Sequence, residues 1–161
     1  MSCWMSPVIR AAPRAEDAML KITTKSRYAL HALIELASNY GDEPTYLGRL
    51  AEAAGTSQKY LERIFARLKE AGIIESFRGK KGGYILARPP AEIRLIDIWR
   101  ALEGDVLPLE CLAEPDSCPK SDRCVPQKFW ARIAEAVSDV LKSTTLEELA
   151  MQQGANDGIL R

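Results

Sequence analysis

The stretch that most constrains the fold runs over residues 47–88, where two helical patterns and two short strands follow one another with glycines between them. A short helical pattern, LGRLAEAAG, ends at Gly55. Ser57 can cap a longer pattern, SQKYLERIFARLKEAG, which Gly72 closes. A short helix, a tight glycine turn and a longer helix with one polar face predict a helix-turn-helix.

The longer helical pattern has two faces of different character. Its apolar stripe predicts a buried side formed by Leu61, Ile64, Phe65 and Leu68. The opposite face is polar and partly basic. The residues near enough its N-terminal half to meet bases or phosphates are Ser57, Gln58, Lys59, Tyr60, Glu62 and Arg63. For Glu62, a pair with an arginine of the same helix is the alternative to a contact with a cytosine amino group.

Residues 73–88, IIESFRGKKGGYILAR, predict a strand, a glycine-rich turn and a second strand. The turn carries Arg78, Lys80 and Lys81 among glycines, so its backbone can approach a phosphate that the cations neutralise. A nucleotide-binding P-loop is excluded because a strand follows and no Ser or Thr succeeds the lysine. The hairpin is therefore expected to be the basic wing of a winged helix.

Charge divides the chain into two halves. Residues 19–90 hold 12 Lys and Arg against 7 Asp and Glu, whereas residues 91–161 hold 8 against 13. The basic half suits a polyanion such as double-stranded DNA, although uneven solvation would give the same imbalance. No apolar run reaches membrane-spanning length and no signal peptide is evident, which indicates a cytoplasmic protein. A single histidine and no recognisable catalytic motif argue against an enzyme.

A long helix is predicted to begin at Pro126. Its apolar residues recur at three- and four-residue steps, at Trp130, Ile133, Val137, Val140 and Leu141. Packing within its own domain is one explanation. We favour a dimerisation helix, because DNA-binding proteins with one such domain commonly dimerise to span two half-sites.

The predicted fold is mainly α with a small β-hairpin wing: a winged helix-turn-helix plus a long C-terminal dimerisation helix. The expected organisation is a disordered extension or start-site artefact (1–18), a winged-helix domain (19–90), a short helix and cysteine-bearing loop (91–125), a dimerisation helix with a terminal short helix (126–152) and a frayed tail (153–161).

Three of the four cysteines fall within residues 111–124, CLAEPDSCPKSDRC. Cys111, Cys118 and Cys124 are separated by six and then five residues. Thiolates are the usual ligands of iron–sulfur clusters, whereas the thiols of structural zinc sites usually come as CxxC pairs. Spacing alone leaves four hypotheses open: a cluster, a spaced zinc site, a thiol redox switch, or cysteines that simply pack.

Residues 20–151 resemble the Rrf-type family of bacterial winged-helix transcription regulators. The resemblance implies a homodimer that binds a palindromic operator and represses or activates genes, with a two-iron or four-iron cluster on the cysteine loop. A repressor gated by thiol oxidation or by a protein partner, without a cluster, is the alternative. The matching motifs are LKITTKSRYAL (20–30), YLERIFARLKEAGII (60–74), SFRGKKGGYILAR (76–88) and STTLEELA (143–150).

The fourth cluster ligand departs from the patterns of known members. One member has a histidine three residues after the third cysteine, where this chain has Gln127. A second uses an aspartate from the partner's first helix, at the position of Arg27. In a third a histidine of that helix ligates, and the matching position is His31, the only histidine here. The resemblance thus points to His31 of the partner subunit, with Glu110, Asp122, water or a small thiol as alternatives.

Overall fold

The computed structural model describes residues 23–79, 82–106 and 123–159, with side chains of the last helix as far as Ala155. In these residues the helices are α1 (Thr24–Ser38), α2 (Leu47–Ala54), α3 (Gln58–Glu70), α4 (Leu95–Glu103), α5 (Val125–Ser143) and α6 (Leu146–Ile159). Strands β1 (Ile74–Phe77) and β2 (Gly83–Leu86) form an antiparallel pair, and Pro90–Glu92 form a 3₁₀ turn. The predicted mainly α fold with a small hairpin is confirmed. No described helix combines the length and apolarity needed to cross a membrane.

The helix-turn-helix forms because its caps are encoded locally. The Ser57 hydroxyl accepts a hydrogen bond from the Tyr60 backbone N–H at 3.3 Å and so caps α3. Gly55 ends α2 in the left-handed region, with φ of +67°, a conformation that side chains other than glycine rarely adopt. The predicted boundaries of both helices are confirmed to within two residues.

The base of the wing is bonded to Thr45, which lies two residues before the first residue of α2. Thr45 and Tyr84 exchange two backbone hydrogen bonds, of 3.0 and 2.9 Å, and thus extend the hairpin by a bridge. Gly83 allows this approach: a Cβ there would lie 2.5 Å from the Thr45 carbonyl oxygen. The base of the wing is therefore fixed to the helix-turn-helix. Lys80 and Lys81 lie outside the described residues.

The core lies where α1 meets the apolar faces of α2, α3 and α4. The predicted stripe of α3 is buried in full, and the Phe65 ring packs edge-to-face on Tyr84, with centroids 4.9 Å apart. Each buried side chain of this size stabilises the fold by about 1.5–3 kcal/mol. The largest fully buried side chains are Phe65, Leu33, Leu50, Leu61, Leu68, Ile73, Ile74, Ile93, Leu102 and Leu146.

The C-terminal segment closes onto the winged-helix domain. The Leu146 N–H donates to the Ile93 carbonyl at 2.9 Å, and the Leu95 N–H donates to the Thr144 carbonyl at 3.1 Å. Helix α6 then packs along α1 and reaches residue 159, so most of the segment expected to be a frayed tail (153–161) is helical. The physical reason is that an isolated glycine such as Gly154 costs a helix about 1 kcal/mol relative to alanine without ending it.

Candidate nucleic-acid interface and sensor segment

Helix α3 presents a polar face on the side opposite its core contacts. The predicted DNA-contact residues on it are all exposed: Ser57, Gln58, Lys59, Tyr60, Glu62 and Arg63. Arg78, at the end of β1, is exposed as well. The described part of the wing and α3, the second or recognition helix of the helix-turn-helix, thus expose polar and cationic groups to solvent. Contact with DNA by these particular residues stays a prediction.

Two contacts fix α3 against its neighbours. The Tyr60 ring meets the Tyr28 ring of α1 edge-to-face, with centroids 6.0 Å apart, so part of Tyr60 is engaged in packing. The Phe65 ring of α3 packs on Tyr84 of β2, which joins α3 to the wing. Burial and, to a smaller extent, the Glu62 carboxylate raise the pKa of Tyr84.

A further aromatic side chain stands at the start of α2. The Tyr46 ring lies over Gly48: a Cβ there would be 2.6 Å from Tyr46 Cε1 and 3.1 Å from the Gln58 side-chain amide nitrogen. Tyr46 is 63% exposed. Sequence reasoning missed this cluster. A tyrosine immediately before a helix whose second residue is glycine was the available signal.

The end of α4 is tied to the start of α1 through Glu103. The hydroxyls of Thr23 and Ser26 both donate to Glu103 Oε1, and Lys25 Nζ lies 3.2 Å from Oε2. Burial alone would raise the pKa of Glu103, but these hydrogen bonds and the lysine charge outweigh it and hold the pKa below its ordinary value. Glu103 is therefore kept ionised in a largely enclosed place.

The same end of α4 is tied to the recognition helix. Arg67 Nη1, in the last turn of α3, donates to the Leu102 carbonyl at 2.9 Å, and Lys25 Nζ donates to the same oxygen. The segment that carries the first two cysteines starts a few residues further on, after Gly104. A displacement of that segment would therefore act on a helix end bonded directly to α3.

The structure describes one of the three clustered cysteines. Cys111 and Cys118 lie outside the described residues, whereas Cys124 is partly buried and immediately precedes α5. In the described ranges, no three His, Cys, Asp or Glu side chains lie close enough to hold a metal ion.

His31 is exposed on α1, one turn after Arg27. Arg27 and Leu30 line an apolar cavity of about 190 Å³ together with Leu141, near the end of α5. Cys124 precedes the start of α5, about 25 Å from Leu141 along the helix at 1.5 Å per residue. The Leu141 end of α5 thus adjoins α1, whereas Cys124 lies at the other end of α5.

Helix α5 carries an uncovered apolar face. None of its described side chains is buried; Ile133, Val137 and Leu141 are partly covered, whereas Trp130 and Val140 are 43% and 63% exposed. The sequence analysis left out one member of this face. The ring of Phe129 (54% exposed) packs edge-to-face on Trp130. Phe129 lies four residues before Ile133, so the three- and four-residue steps were a signal that could have found it.

Both the sequence and the fold of the chain are similar to those of known proteins. The model of the Rrf2 family, described as an iron-dependent transcriptional regulator, matches residues 22–152. The transcriptional regulator CymR of Bacillus subtilis is 42% identical over 131 residues, which are 81% of this chain and 90% of the relative. The solved structure of this global cysteine regulator matches with a TM-score of 0.70 and 43% identity, covering 83% of this chain and 98% of that one.

Two other solved structures are similar along most of the chain. The IscR structure from T. potens is 36% identical with a TM-score of 0.66, covering 86% of this chain and 90% of that one. The oxidised form of Staphylococcus aureus CymR is 41% identical with a TM-score of 0.64, covering 81% and 95%. The chain therefore resembles both CymR and IscR proteins over the DNA-reading and C-terminal helices.

Proposed function

The chain belongs to the Rrf2 family and is a DNA-binding transcriptional regulator rather than an enzyme, and from this premise we propose that it is a homodimer controlled by an iron–sulfur cluster on Cys111, Cys118 and Cys124. The observation that carries the proposal is where these thiols lie. They occupy the segment between α4, whose end is bonded to the recognition helix, and α5, whose apolar face is exposed.

The residues present fit such a cluster. Three thiols within fourteen residues that also include two prolines supply the soft anionic ligands that iron–sulfur clusters use. Cys124 is only partly buried, so its side chain remains accessible to iron. When bound, a cluster would supply reversible redox and ligand-exchange chemistry, and thus sensitivity to iron, redox state or nitric oxide. A reducing cytoplasm would keep the thiols available.

Dimerisation through α5 would complete the site. A two-fold interface is self-complementary, so two α5 helices packed antiparallel would place the Leu141 end of one beside the Cys124 end of the other. Because the Leu141 end adjoins α1, His31 of the partner subunit would approach the cluster. This arrangement supports His31 of the partner subunit as the fourth ligand.

DNA binding is proposed to use the exposed polar face of α3 and the wing. The N-terminal half of α3 would enter the major groove while the wing reaches the minor groove or the backbone. A dimer would read a palindromic operator with two such units. The proposed contact residues are Ser57, Gln58, Lys59, Tyr60, Glu62, Arg63, Arg78, Lys80 and Lys81.

The proposed control acts through the end of α4. Cluster binding would order the segment between α4 and α5, and Leu102 would transmit the change to Arg67 at the end of α3. The spacing of the two recognition helices in the dimer would change with it. Operator affinity would then depend on the state of the cluster.

Spectroscopy of protein purified without oxygen tests the cluster. The wild type should show visible absorbance together with iron and acid-labile sulfide, and Cys124→Ser should lose all three. His31→Ala should retain iron with an altered spectrum. Cys3→Ser, which removes the cysteine outside the cluster of three, is the matched control and should behave as wild type. A colourless, iron-free wild type would rule the cluster out.

Thiol oxidation without iron is the second candidate function. It is favoured by the similarity to Staphylococcus aureus CymR, a relative with a structure in an oxidised form. In that case, peroxide should change the operator affinity of iron-free protein, and Cys124→Ser should abolish the response. A response to peroxide that requires bound iron would instead support the cluster.

A further inference from the structure

We infer that Tyr46 is a further DNA-contact residue, whose phenol donates a hydrogen bond to a backbone phosphate, and that Gly48 allows its ring to take that place. This inference rests on the proposed binding of DNA through α3 and the wing. It adds a contact from α2, the helix for which the sequence suggested none.

Tyr46 lies between the two elements proposed to meet DNA. The backbone N–H and carbonyl of the preceding residue, Thr45, are both hydrogen-bonded to Tyr84 in β2. Tyr46 therefore lies at the base of the wing. Its ring shares the space over Gly48 with the side chain of Gln58, the first residue of α3. The phenol therefore stands beside the N-terminus of the recognition helix.

This is where the backbone of bound DNA would run. In a docked helix-turn-helix the recognition helix enters the major groove with its N-terminal residues, and the helix before it crosses the backbone. Here that helix is α2, and Tyr46 caps its start. Tyr46 is 63% exposed, so its hydroxyl is accessible to a partner. Phosphate oxygens accept such hydroxyls in protein–DNA interfaces generally.

Gly48 leaves the space on α2 that the Tyr46 ring occupies. Gly48 is the second residue of that helix and its backbone is ordinary helix, so alanine would favour the helix itself. A Cβ would nevertheless strike the Tyr46 ring and crowd the Gln58 amide. Since the ring is exposed and free to swing away, Gly48→Ala should displace the phenol while leaving the fold intact.

The test compares affinities for two duplexes: one selected by the wild type from a random library, and one of unrelated sequence. Tyr46→Phe should weaken both by a similar factor of about tenfold, as expected for loss of a hydrogen bond to a charged group. The salt dependence should stay unchanged, because a neutral phenol releases no counterion. Tyr40→Phe, at another exposed tyrosine, is the matched control and should bind as wild type.

Gly48→Ala tests the placement. It should melt at or above the wild-type temperature and yet bind both duplexes about as weakly as Tyr46→Phe. In the double variant Gly48→Ala/Tyr46→Phe, removing the hydroxyl should cost little more, because the ring has already moved. Additive losses in the double variant would overturn the role of Gly48.

The outcomes separate this inference from the proposed function. Wild type that binds its selected duplex, with Tyr46→Phe binding equally well, would overturn the phosphate contact alone. A loss confined to the selected duplex would also overturn it, since that result indicates base readout. Wild type that selects no duplex at all would overturn the proposed function and this inference together.

Discussion

Glu103 is the residue through which α1 and α4 hold each other in a charged, largely enclosed contact. Its pKa is lowered from the ordinary 4.5 because two hydroxyls and Lys25 favour the carboxylate. A lowered pKa in the folded state means that this contribution to stability is present above about pH 4.5 and is lost as the pH falls through the lowered value. The free energy of unfolding should therefore depend measurably on the ionisation of Glu103.

Glu103→Gln should lower the free energy of unfolding by about 1–2 kcal/mol at neutral pH, since the charge that Lys25 and the hydroxyls favour is removed. The difference from wild type should shrink as the pH falls below the ordinary pKa of 4.5 and through the lowered value. Denaturant titrations at a series of pH values measure it, with Glu52→Gln, at an exposed site on α2, as control. A difference that stays constant with pH would show that the charge of Glu103 contributes nothing.

Of the three cations predicted for the turn of the wing, Arg78 lies among the residues that the structure describes. Arg78→Ala should weaken binding to all duplexes by a similar factor and lower the slope of log K against log salt by about 1, because one phosphate contact is lost. Binding measured across a salt series checks both. Lys142→Ala, at an exposed cation near the end of α5, should leave the slope unchanged. An unchanged slope in Arg78→Ala would remove the wing from the DNA interface.

At the scale of elements, the position of the wing depends on one close approach. Gly83→Ala would press a Cβ against the Thr45 backbone, which cannot move aside as a flexible side chain can. The hairpin should therefore shift, with a loss of about 1–3 kcal/mol in stability and weaker DNA binding. Gly154→Ala is the control: its Cβ meets open space inside a helix, so it should be neutral or stabilising by up to about 1 kcal/mol. Equal melting of the two variants would contradict this account of the wing.

Helix α5 is expected to provide the dimer interface through its uncovered apolar face. Val140→Glu should weaken self-association by tenfold or more, because a carboxylate would be buried between the two helices. The helical content of the protomer should persist, since Val140 is exposed in the single chain. Sedimentation equilibrium measures the effect. Lys128→Glu adds the same group at an exposed position on the side of α5 that points away from Val140, and this variant should remain dimeric. Dissociation of both variants, or of neither, would remove this face from the interface.

For the whole molecule, the sequence predicted best what is determined locally. Helices α2 and α3 were placed by apolar periodicity and by Ser57, Gly55 and Gly72, all of which act within a few residues of themselves. The wing followed from its glycine-rich turn between two apolar strands.

The contacts that link distant segments could not be read in the same way. The bonds from Thr23 and Lys25 to the end of α4 join residues more than 75 positions apart, and no local pattern marks them. The Tyr46 cluster depends on how α2 and α3 meet, and apolar periodicity does not mark it for the same reason. The predicted cysteine site depends on residues beyond those described, so for Cys111 and Cys118 it stays a prediction from sequence.

The molecule combines a DNA-reading half and a helical C-terminal half that meet at α4. The end of α4 is bonded both to α1 and to the recognition helix, and the cysteine segment follows it directly. This connection is the route by which the proposed cluster would act on the proposed DNA interface. Operator affinity should therefore depend on whether the cluster is present.

The most direct measurement is the operator affinity of cluster-loaded and cluster-free wild type, compared anaerobically at the same salt concentration on a duplex selected from a random library. We expect the two dissociation constants to differ by tenfold or more, a coupling free energy of about 1.4 kcal/mol or above. Equal affinities of the loaded and cluster-free forms would contradict the account.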